Sequence, residues 1–547
     1  MSLNRVVMFL LALGPMLVQA DARLNQGPKP AAEGESVMVS TQLPIVTETA
    51  LEVLRNGGNA VDAMIAAVFL QHVVDYHQVS HFGIMSGIFY EAATGQYHVI
   101  SGNGMRPLAS RCGKGDPSAV SIGGTVKAME ALAERWGTME WSEYLAPAVA
   151  SAEAGVEVSS FMYGINYHYM QTGQDDSLIG NREAREFYMP DGFLVPAGER
   201  WKMPALAEHL RTLADEGADY MYTGGWAEKF VEAARAGGHC VAPEDLAEYE
   251  VVWEEPVRFS YGEHQILGSA PPDTGGAFVG LSLNMLQHFD LGERPHYSES
   301  AETLQIMARV FGRASDETRL TINDPLAMQV PVDIWTDPDY GVMAAELVRQ
   351  TLPRPGVSLA APESDGNDDP EAMGSNHNVI VDAQGNWFSV LHTGHGGAPG
   401  VFIDGVATRG STARAFTEGP GRRLVLPITS ILVERDGMPW LAMGSPGMPP
   451  QPVSQVLLNI LDWNMDPVDA ADAPRFWAWR NNQPRIDIES RISDEVRKGI
   501  REAGLELRDL GPYFWSTGSM QIIWRDADTG RLHGATDPRR LGWAEGF

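Results

Sequence analysis

The stretch GSNHNVIVDAQGNWFSVLHTG, residues 374–394, predicts two β-strands joined by a tight turn. Residues 379–381 are Val-Ile-Val, which favour a strand, and Trp387 begins a second apolar run that ends at Leu391. Between the two runs, residues 382–386 have the composition of a hairpin turn. The preceding run, ESDGNDDPEAMG at 363–374, is acidic, poor in apolar residues and interrupted by Gly and Pro, so it predicts disorder.

Ser375 stands at the junction between this acidic run and the first strand. Serine is common in loops, so a loop that simply enters a strand is one interpretation. The other interpretation is that the chain is cut before Ser375, which then becomes a new N-terminus. The residues of the stretch leave both interpretations open.

The flanking sequence predicts the layers that would enclose this hairpin. A Gly57-Gly58 pair separates a helix ending near Leu54 from an almost wholly apolar helix over residues 60–74. Residues 85–103 predict a second hairpin, residues 123–318 have mainly helical periodicity, and residues 519–540 predict two strands about a glycine turn. Helices inserted among hairpin-connected strands favour an α+β fold, an αββα four-layer sandwich, over a doubly wound parallel sheet.

Composition excludes several classes of partner. The chain has 547 residues, 44% hydrophobic and 20% charged, with a formal net charge of −31, so nucleic acid and anionic membrane surfaces are not expected partners. Residues 1–20 have the three parts of a secretory signal: Arg5, an apolar run over 6–18, and a small-residue cleavage site ending at Ala20. The protein is therefore expected to be periplasmic or secreted, with no membrane attachment after signal removal. The sequence leaves open whether Cys112 and Cys240 pair.

No metal and no cofactor are expected. His77 and His81 in HQVSH have i, i+4 spacing, but the glutamate of a zinc protease motif and a third ligand are missing. No Gly-rich motif of the nucleotide-binding kinds occurs. GSPGM at 444–448, before an apolar helical run, is either a simple turn or a loop that directs backbone N–H groups into a pocket as an oxyanion hole.

Eight stretches together resemble one family along nearly the whole mature chain. They are LEVLRNGGNAVDAMIAA, GGTVKAMEALAERWG, LAPAVASAEAG, EDLAEYEVVWEEPVRFSYGEHQILGSAPPDTGGAFVGLSLNML, SNHNVIVDAQGNWFSV, MGSPGM, DAPRF and HGATDPRR. In order and spacing they resemble the γ-glutamyltranspeptidases (glutathione hydrolases), members of the N-terminal nucleophile hydrolases. The resemblance implies the αββα fold and one precursor that cuts itself into a large subunit, residues 21–374, and a small subunit, residues 375–547, which together form one interwoven domain.

The resemblance also implies the catalytic residues. The family's nucleophilic threonine corresponds to Ser375, so the scissile bond is Gly374–Ser375, and the freed α-amine would act as the local base. Thr393 corresponds to a second threonine that hydrogen-bonds the nucleophile. Gly447 and Met448 correspond to the backbone donors of the oxyanion hole.

The substrate side departs from the family pattern. Asn103 stands where an arginine would grip the substrate carboxylate, with Arg106 three positions away, and Leu426-Pro427 replaces a pair of serines. Thr408 or Arg409 falls where an aspartate would hold the substrate amine, and His395 replaces an asparagine. A charge-assisted contact contributes about 1.5–3 kcal/mol, so these losses would remove most selectivity for a γ-glutamyl group.

These observations predict an exported, autoprocessing amidohydrolase or acyltransferase that forms an acyl-enzyme on Ser375. Its substrate is expected to be a small amide or peptide other than a simple γ-glutamyl compound, with Arg409 favouring an acidic group on the acyl side. Two alternatives remain. One is a true glutathione hydrolase or γ-glutamyltransferase with a rearranged pocket, and the other is a catalytically inactive binding homologue on the same scaffold.

Overall fold

The computed structural model describes residues 26–108, 120–172, 180–322, 324–325, 329–352, 374–394, 396–408, 421–447, 450–478 and 485–547. The predicted signal segment and most of the acidic run before Ser375 therefore lie outside the described residues. Cys112 also lies outside them, whereas Cys240 is disulfide-bonded.

The predicted hairpin forms the centre of a seven-stranded sheet, called here the nucleophile sheet, within the described residues. Its strands, in spatial order, are Gly542–Gly546, Met38–Gln42, Asn376–Val381, Trp387–Thr393, Ile84–Glu91, Gln96–Gly102 and Val252–Glu254. Each neighbouring pair is antiparallel. Both hairpins predicted from sequence, at 376–393 and 84–102, are thus confirmed.

A second seven-stranded sheet, called here the opposite sheet, faces the first within the same described residues. Its strands, in spatial order, are Ala32–Gly34, Leu532–Thr536, Gln521–Arg525, Met438–Gly444, Ser430–Arg435, His264–Gly268 and Val257–Tyr261. Its pairs are antiparallel as well. The predicted C-terminal pair of strands is confirmed as part of this sheet.

Helices cover the outer face of each sheet. The α-helices are Pro44–Arg55, Ala60–Val74, Thr125–Trp136, Trp141–Ala154, Ser160–Thr172, Arg182–Tyr188, Pro204–Glu216, Asp219–Tyr222, Gly225–Ala236, Pro243–Ala247, Gly275–Leu286, Ala301–Thr321, Val332–Trp335, Pro338–Thr351, Pro450–Leu461, Pro467–Asp472 and Asp494–Glu502. Short 3-10 helices are Leu291–Glu293 and Trp515–Thr517, and the remaining strands are Val156–Glu157, Arg200–Trp201, Val401–Ile403, Val406–Thr408, Phe476–Ala478, Arg485–Ile488 and Glu506–Asp509.

The alternation of side chains along each strand creates apolar cores on both faces of each sheet, and these define four layers. Ile380 and Val390 lie in the core between the nucleophile sheet and its helices. Val379 lies between the two sheets, together with Leu432 of the opposite sheet. A third core joins the opposite sheet to helices such as Gly275–Leu286. The fold is therefore the predicted αββα sandwich.

One stretch differs from the prediction. The region 123–318 was predicted to be mainly helical, but residues 257–268 form an antiparallel hairpin of the opposite sheet. Residues of Val257–Tyr261 are alternately buried and exposed, which is the period of two of a strand. This pattern covers only five positions, so the helical periodicity of the flanking residues hides it in the sequence. Its inner strand pairs with Ser430–Arg435, so a partner distant in sequence stabilises it.

The helix Ala60–Val74 positions the segment that reaches the site. All its residues are buried, as its apolar composition predicts. Asn59 caps its N-terminus by accepting hydrogen bonds from the N–H groups of Val61 and Asp62, while Asp62 accepts one from the Asn59 N–H. Its C-terminus delivers residues 75–83 to the edge of the nucleophile sheet. Among the described helices, none has the length and apolarity needed to cross a membrane.

Candidate active site

Strand register brings the predicted site residues to one edge of the nucleophile sheet. Asn376 pairs with His392, so Ser375, one residue earlier, lies opposite Thr393. Thr393 pairs with Ile84 on the next strand, and Met85 pairs with Gly102, which places Asn103 beside Ile84. Because side chains alternate, Ser375, Thr393 and Asn103 belong to the face that packs against the opposite sheet.

The peptide bond between Gly374 and Ser375 is held by hydroxyl groups. The Ser375 Oγ and the Thr393 Oγ1 each donate a hydrogen bond to the Gly374 carbonyl oxygen, both at 2.5 Å. Ser375 and Thr393 are 5% and 4% exposed, so these contacts form in a dry environment. Thr393, the residue predicted to hydrogen-bond the nucleophile, donates here to the carbonyl oxygen next to Ser375, and its contact with the nucleophile stays a prediction. This arrangement polarises the carbonyl that the serine would attack.

Gly374 has no room for a side chain. A Cβ atom there would lie 2.6 Å from Gln78 Oε1 and 2.8 Å from the Tyr169 hydroxyl. The same Gln78 Oε1 accepts a hydrogen bond of 3.2 Å from the Ser375 N–H. Gln78 therefore holds the amide nitrogen of the Gly374–Ser375 bond, and a side chain at residue 374 would displace Gln78 or Tyr169.

The carbonyl group of Ser375 is held from the C-terminal segment. Arg540 Nη1 donates to the Ser375 carbonyl oxygen at 3.0 Å, and Arg540 Nε donates to the Trp515 carbonyl oxygen at 3.1 Å. Sequence reasoning missed both Gln78 and Arg540. Gln78 lies within HQVSH, which was considered only for metal, and Arg540 ends HGATDPRR, which served only as a family motif.

His377, the third residue of the SNH stretch, lies between the sheets. Its Nε2 is 3.1 Å from Ser389 Oγ and 3.3 Å from Ser430 Oγ. A Cβ on Gly444 would lie 2.1 Å from this Nε2, so the imidazole packs directly on the backbone where the GSPG turn begins. Burial lowers the pKa of His377 to about 3, so the ring is neutral at physiological pH.

The GSPG turn is anchored to the segment that follows Trp515. Gly447 has a positive φ of 88°, and a Cβ there would lie 2.6 Å from the Ser516 carbonyl oxygen. The Ser445 hydroxyl accepts a hydrogen bond of 2.8 Å from the Ser519 N–H. Met448, the second predicted oxyanion donor, lies outside the described residues, so the oxyanion hole stays a prediction.

Asn103 meets a carboxyl group rather than solvent. Its Nδ2 donates to Asp273 Oδ1 at 2.6 Å, and both side chains are fully buried. Burial raises the pKa of Asp273 to about 7, against the effect of hydrogen bonds from Ser86 and Asn103. The position where the resemblance places a cationic arginine therefore carries an amide bound to an acid.

Of the other residues predicted to contact substrate, only some lie at this edge of the nucleophile sheet. Leu426 lies beside Asp273 in a parallel bridge. Thr408 donates its hydroxyl to the carbonyl oxygens of Ala398 and Val401, so it is engaged by backbone. Two further predicted residues, His395 and Arg409, lie outside the described residues.

The two histidines of HQVSH have different surroundings. His77 Nδ1 is 3.3 Å from the Asp75 carboxylate. The His81 ring lies 4.5 Å from that of His72 and 5.5 Å from that of His209, inside the helical layer. Within the part of the chain that the structure describes, no three His, Cys, Asp or Glu residues are arranged to hold a metal ion.

The fold is an αββα sandwich, and at the edge of the nucleophile sheet the buried Ser375 hydroxyl contacts the carbonyl oxygen of the preceding residue. This is the architecture of an N-terminal nucleophile hydrolase. The family model Gamma-glutamyltranspeptidase matches residues 46–547, and the chain belongs to this family as a divergent member. It is accordingly an amidohydrolase of the γ-glutamyltransferase family.

Individual relatives are distant. The glutathione hydrolase proenzyme of Escherichia coli (strain K12) is 25% identical over 544 residues, covering 92% of this chain and 90% of that protein. The acylase ACY 1 proenzyme of Pseudomonas sp. (strain SE83) is 28% identical over 514 residues, covering 87% and 88%. The cephalosporin acylase structure from Bacillus halodurans superimposes with a TM-score of 0.81 at 22% identity, over 99% of each chain, which supports the fold.

Proposed function

We propose that this protein is an exported, self-cleaving amidohydrolase that cuts its own Gly374–Ser375 bond and then uses Ser375 as an N-terminal nucleophile. The observation that carries the proposal is the Gly374 carbonyl oxygen, which accepts hydrogen bonds from both the Ser375 and the Thr393 hydroxyl. Cleavage would separate a large subunit, residues 21–374, from a small subunit, residues 375–547. The proenzyme names of the two curated relatives support such processing.

Self-cleavage follows from this geometry in two steps. The Ser375 Oγ attacks the Gly374 carbonyl carbon, and the Thr393 hydroxyl stabilises the negative charge that develops on the oxygen. The C–N bond then breaks as the nitrogen takes up the proton released by the Ser375 hydroxyl, and an ester joins Gly374 to Ser375 Oγ. Water hydrolyses the ester, which leaves a Gly374 carboxylate and a free α-amine on Ser375.

Turnover repeats this chemistry on an external amide. The Ser375 α-amine, with a reference pKa of roughly 8, accepts the Oγ proton as the hydroxyl attacks the substrate carbonyl. The substrate amine leaves, and water or a second amine resolves the acyl-enzyme. Backbone N–H groups of Gly447 and Met448 are the proposed oxyanion donors, with Gly447 held by its packing on Ser516.

The proposed substrate is a small amide or peptide other than a simple γ-glutamyl compound. Support comes from Asp273, whose carboxyl group accepts a hydrogen bond from Asn103. Asn103 occupies the position at which the family pattern has a carboxylate-binding arginine. A carboxylate placed there would meet a carboxyl group rather than a guanidinium. His395 and Arg409 stay predicted substrate contacts. The prediction of an acidic group on the acyl side of the substrate depends on Arg409.

A true glutathione hydrolase is the second candidate. It is favoured by the name of the Escherichia coli relative, which spans most of this chain. A chromogenic γ-glutamyl anilide separates the two, because efficient turnover of it would identify a γ-glutamyl enzyme. Slow turnover, together with faster cleavage of another acyl anilide, would identify the changed substrate.

Intact mass spectrometry of purified wild type and Ser375→Ala tests the proposal. We expect the wild type to give two fragments, the large one starting after residue 20 and the small one starting at Ser375, and Ser375→Ala to stay uncut. The matched control Ser375→Thr keeps a hydroxyl and should still be cut. An uncut wild type that matches Ser375→Ala in every assay would instead identify a binding homologue.

A further inference from the structure

A short segment, residues 514–519, contacts both halves of the candidate active site and is called here the linking segment. Its Trp515 carbonyl oxygen accepts a hydrogen bond of 3.1 Å from Arg540 Nε. Another nitrogen of the same guanidinium, Nη1, donates to the Ser375 carbonyl oxygen at 3.0 Å. One end of the linking segment is therefore joined to the nucleophile through a single side chain.

The other end of the linking segment contacts the GSPG turn, residues 444–447, through the Ser445 hydroxyl. Ser445 is fully buried, and its Oγ accepts a hydrogen bond of 2.8 Å from the Ser519 N–H. The same Oγ donates to the Pro446 carbonyl oxygen at 2.9 Å. Because the Ser519 N–H supplies the proton of the first hydrogen bond, the hydroxyl proton is free for the second. The hydroxyl thus connects the backbone of the linking segment to a carbonyl group of the turn.

The Pro446 carbonyl group belongs to the peptide unit that carries the Gly447 N–H. This peptide bond is trans, and in a planar trans peptide the C=O and the N–H point in opposite directions. A donor that holds the Pro446 oxygen therefore also sets the direction of the Gly447 N–H, one of the two proposed oxyanion donors. The hydrogen bond to the oxygen also polarises the peptide unit, which strengthens its N–H as a donor.

Buried polar groups hold the linking segment itself. Glu489 is fully buried, and its Oε1 accepts a hydrogen bond of 3.1 Å from the Phe514 N–H and lies 3.2 Å from the Thr517 Oγ1. Arg475 Nη1 donates to the Thr517 carbonyl oxygen at 3.0 Å. The backbone and the side chain of Thr517 are thus both held, which fixes the segment that presents its N–H group to Ser445.

We propose that Ser445 is a positioning residue for the oxyanion hole: its hydroxyl orients the Pro446–Gly447 peptide unit so that the Gly447 N–H faces the substrate carbonyl oxygen. The inference rests on the proposed function, since it concerns acylation of the same nucleophile. Ser445 does not touch the reacting atoms, so it acts through the peptide unit that it holds.

Self-cleavage and acylation should respond differently to loss of the Ser445 hydroxyl. In the uncut chain, the Gly374 carbonyl oxygen accepts hydrogen bonds from the hydroxyls of Ser375 and Thr393, so self-cleavage does not depend on the turn. Acylation of the cleaved enzyme does depend on the turn, because backbone N–H groups would hold the substrate oxygen. A purely structural role of Ser445 would slow both reactions together.

The test compares wild type with Ser445→Ala in two assays on the full chain. Self-cleavage is followed by intact mass spectrometry, and acylation is followed as acetylation of the cleaved Ser375 by p-nitrophenyl acetate, whose small acyl group needs no specific pocket. We expect Ser445→Ala to cleave itself at the wild-type rate but to be acetylated about 10² more slowly, the usual effect of losing or displacing one oxyanion donor. Ser454→Ala is the matched control, because Ser454 is also buried and donates to a proline carbonyl oxygen, that of Pro450 at 2.8 Å. It should behave as wild type in both assays.

Thr517 variants keep the proposal testable if Ser445→Ala does not fold. Thr517→Val removes the hydroxyl beside Glu489 and should slow acetylation more than self-cleavage, whereas Thr517→Ser should restore acetylation. Unchanged acetylation in Ser445→Ala, or equal slowing of both reactions, would overturn the proposal, as would a cleaved wild type whose Ser375 is not acetylated. Absence of Ser375-dependent cleavage in the wild type would instead refute the proposed function.

Discussion

Thr393 donates its hydroxyl to the Gly374 carbonyl oxygen at 2.5 Å, from the strand directly opposite Ser375. The two residues belong to one hairpin, so strand register fixes the position of the Thr393 hydroxyl relative to the Gly374–Ser375 bond. The donor faces the oxygen on which charge develops when Ser375 attacks, which is the requirement for stabilising that step.

Removing this donor should slow self-cleavage strongly. We expect Thr393→Ala to reduce the rate by about 10² to 10³, the usual effect of losing one oxyanion donor, and Thr393→Ser to retain most of it. The rate is measured as the loss of full-length chain over time. A wild-type rate in Thr393→Ala would show that the hydroxyl has only a structural role.

Gly374→Ala should also impair cleavage, for a steric reason. The added methyl group would overlap with Gln78 Oε1 and the Tyr169 hydroxyl, displacing the scissile bond from its donors. Gly164→Ala is the matched control, because nothing lies within 4 Å of a Cβ at that position. We expect slow cleavage in the first variant and wild-type cleavage in the second, as measured by intact mass.

The buried histidines should make the protein sensitive to acid. Burial lowers the pKa of His209 to about 4, below its unfolded value of about 6.5, so its contribution to stability is complete above pH 6.5 and is lost as the pH falls toward 4. The loss is about 1.4 kcal/mol per pH unit in this window. Asp75 and Asp273 have raised pKa values and oppose this trend, because their contributions are lost as the pH rises.

His209→Phe isolates the histidine contribution. The ring packs against Tyr220 and Trp226, so phenylalanine keeps the aromatic contacts without a group that must stay neutral. We expect the decrease in Tm between pH 7 and pH 5 to be smaller in this variant than in wild type. His533→Phe, at a partly exposed position, serves as the control and should leave the decrease unchanged.

Asp537 stabilises the segment that carries Arg540. Its carboxylate pairs with Arg475 and, at 3.1 Å, with Arg539, and all three side chains are fully buried. Asp537→Asn removes the negative charge that these two buried guanidinium groups share. Breaking a buried ion pair in this way lowers the free energy of unfolding by about 3–5 kcal/mol. We expect a clearly lower Tm and slower self-cleavage. Glu186→Gln, which breaks the exposed pair with Arg182, should leave both unchanged.

Asp273 should disfavour a substrate carboxylate that is placed beside Asn103. Asp273 is fully buried against Asn103 and burial raises its pKa to about 7, so it carries a partial negative charge near neutral pH. Asp273→Asn removes this charge and should raise kcat/KM for a glutaryl anilide severalfold. A neutral valeryl anilide is the internal reference and should change little. An equal change for both anilides would show that Asp273 acts on stability rather than on the acyl group.

Local sequence patterns predicted the hairpin and singled out Ser375 at its start, whereas Thr393 was identified by the family resemblance. Ser375 and Thr393 face each other because the turn at 382–386 sets the register of the two strands. Asn103 was placed by the resemblance, and the 84–102 hairpin brings it to the same edge. The strands within residues 257–268 were missed for two reasons. Their alternation of buried and exposed residues is short, and their pairing depends on a partner strand far along the chain.

The sequence by itself determined the alternating strands, the buried helix 60–74, and a serine next to a glycine at the head of a strand, because these depend on residues that are neighbours in the chain. Only the tertiary structure decided what surrounds the Gly374–Ser375 bond. Gln78 and Arg540, which hold the backbone of Ser375, lie 297 and 165 residues away from it in the chain. Their contacts arise when both sheets and their helices pack, and no local periodicity encodes them.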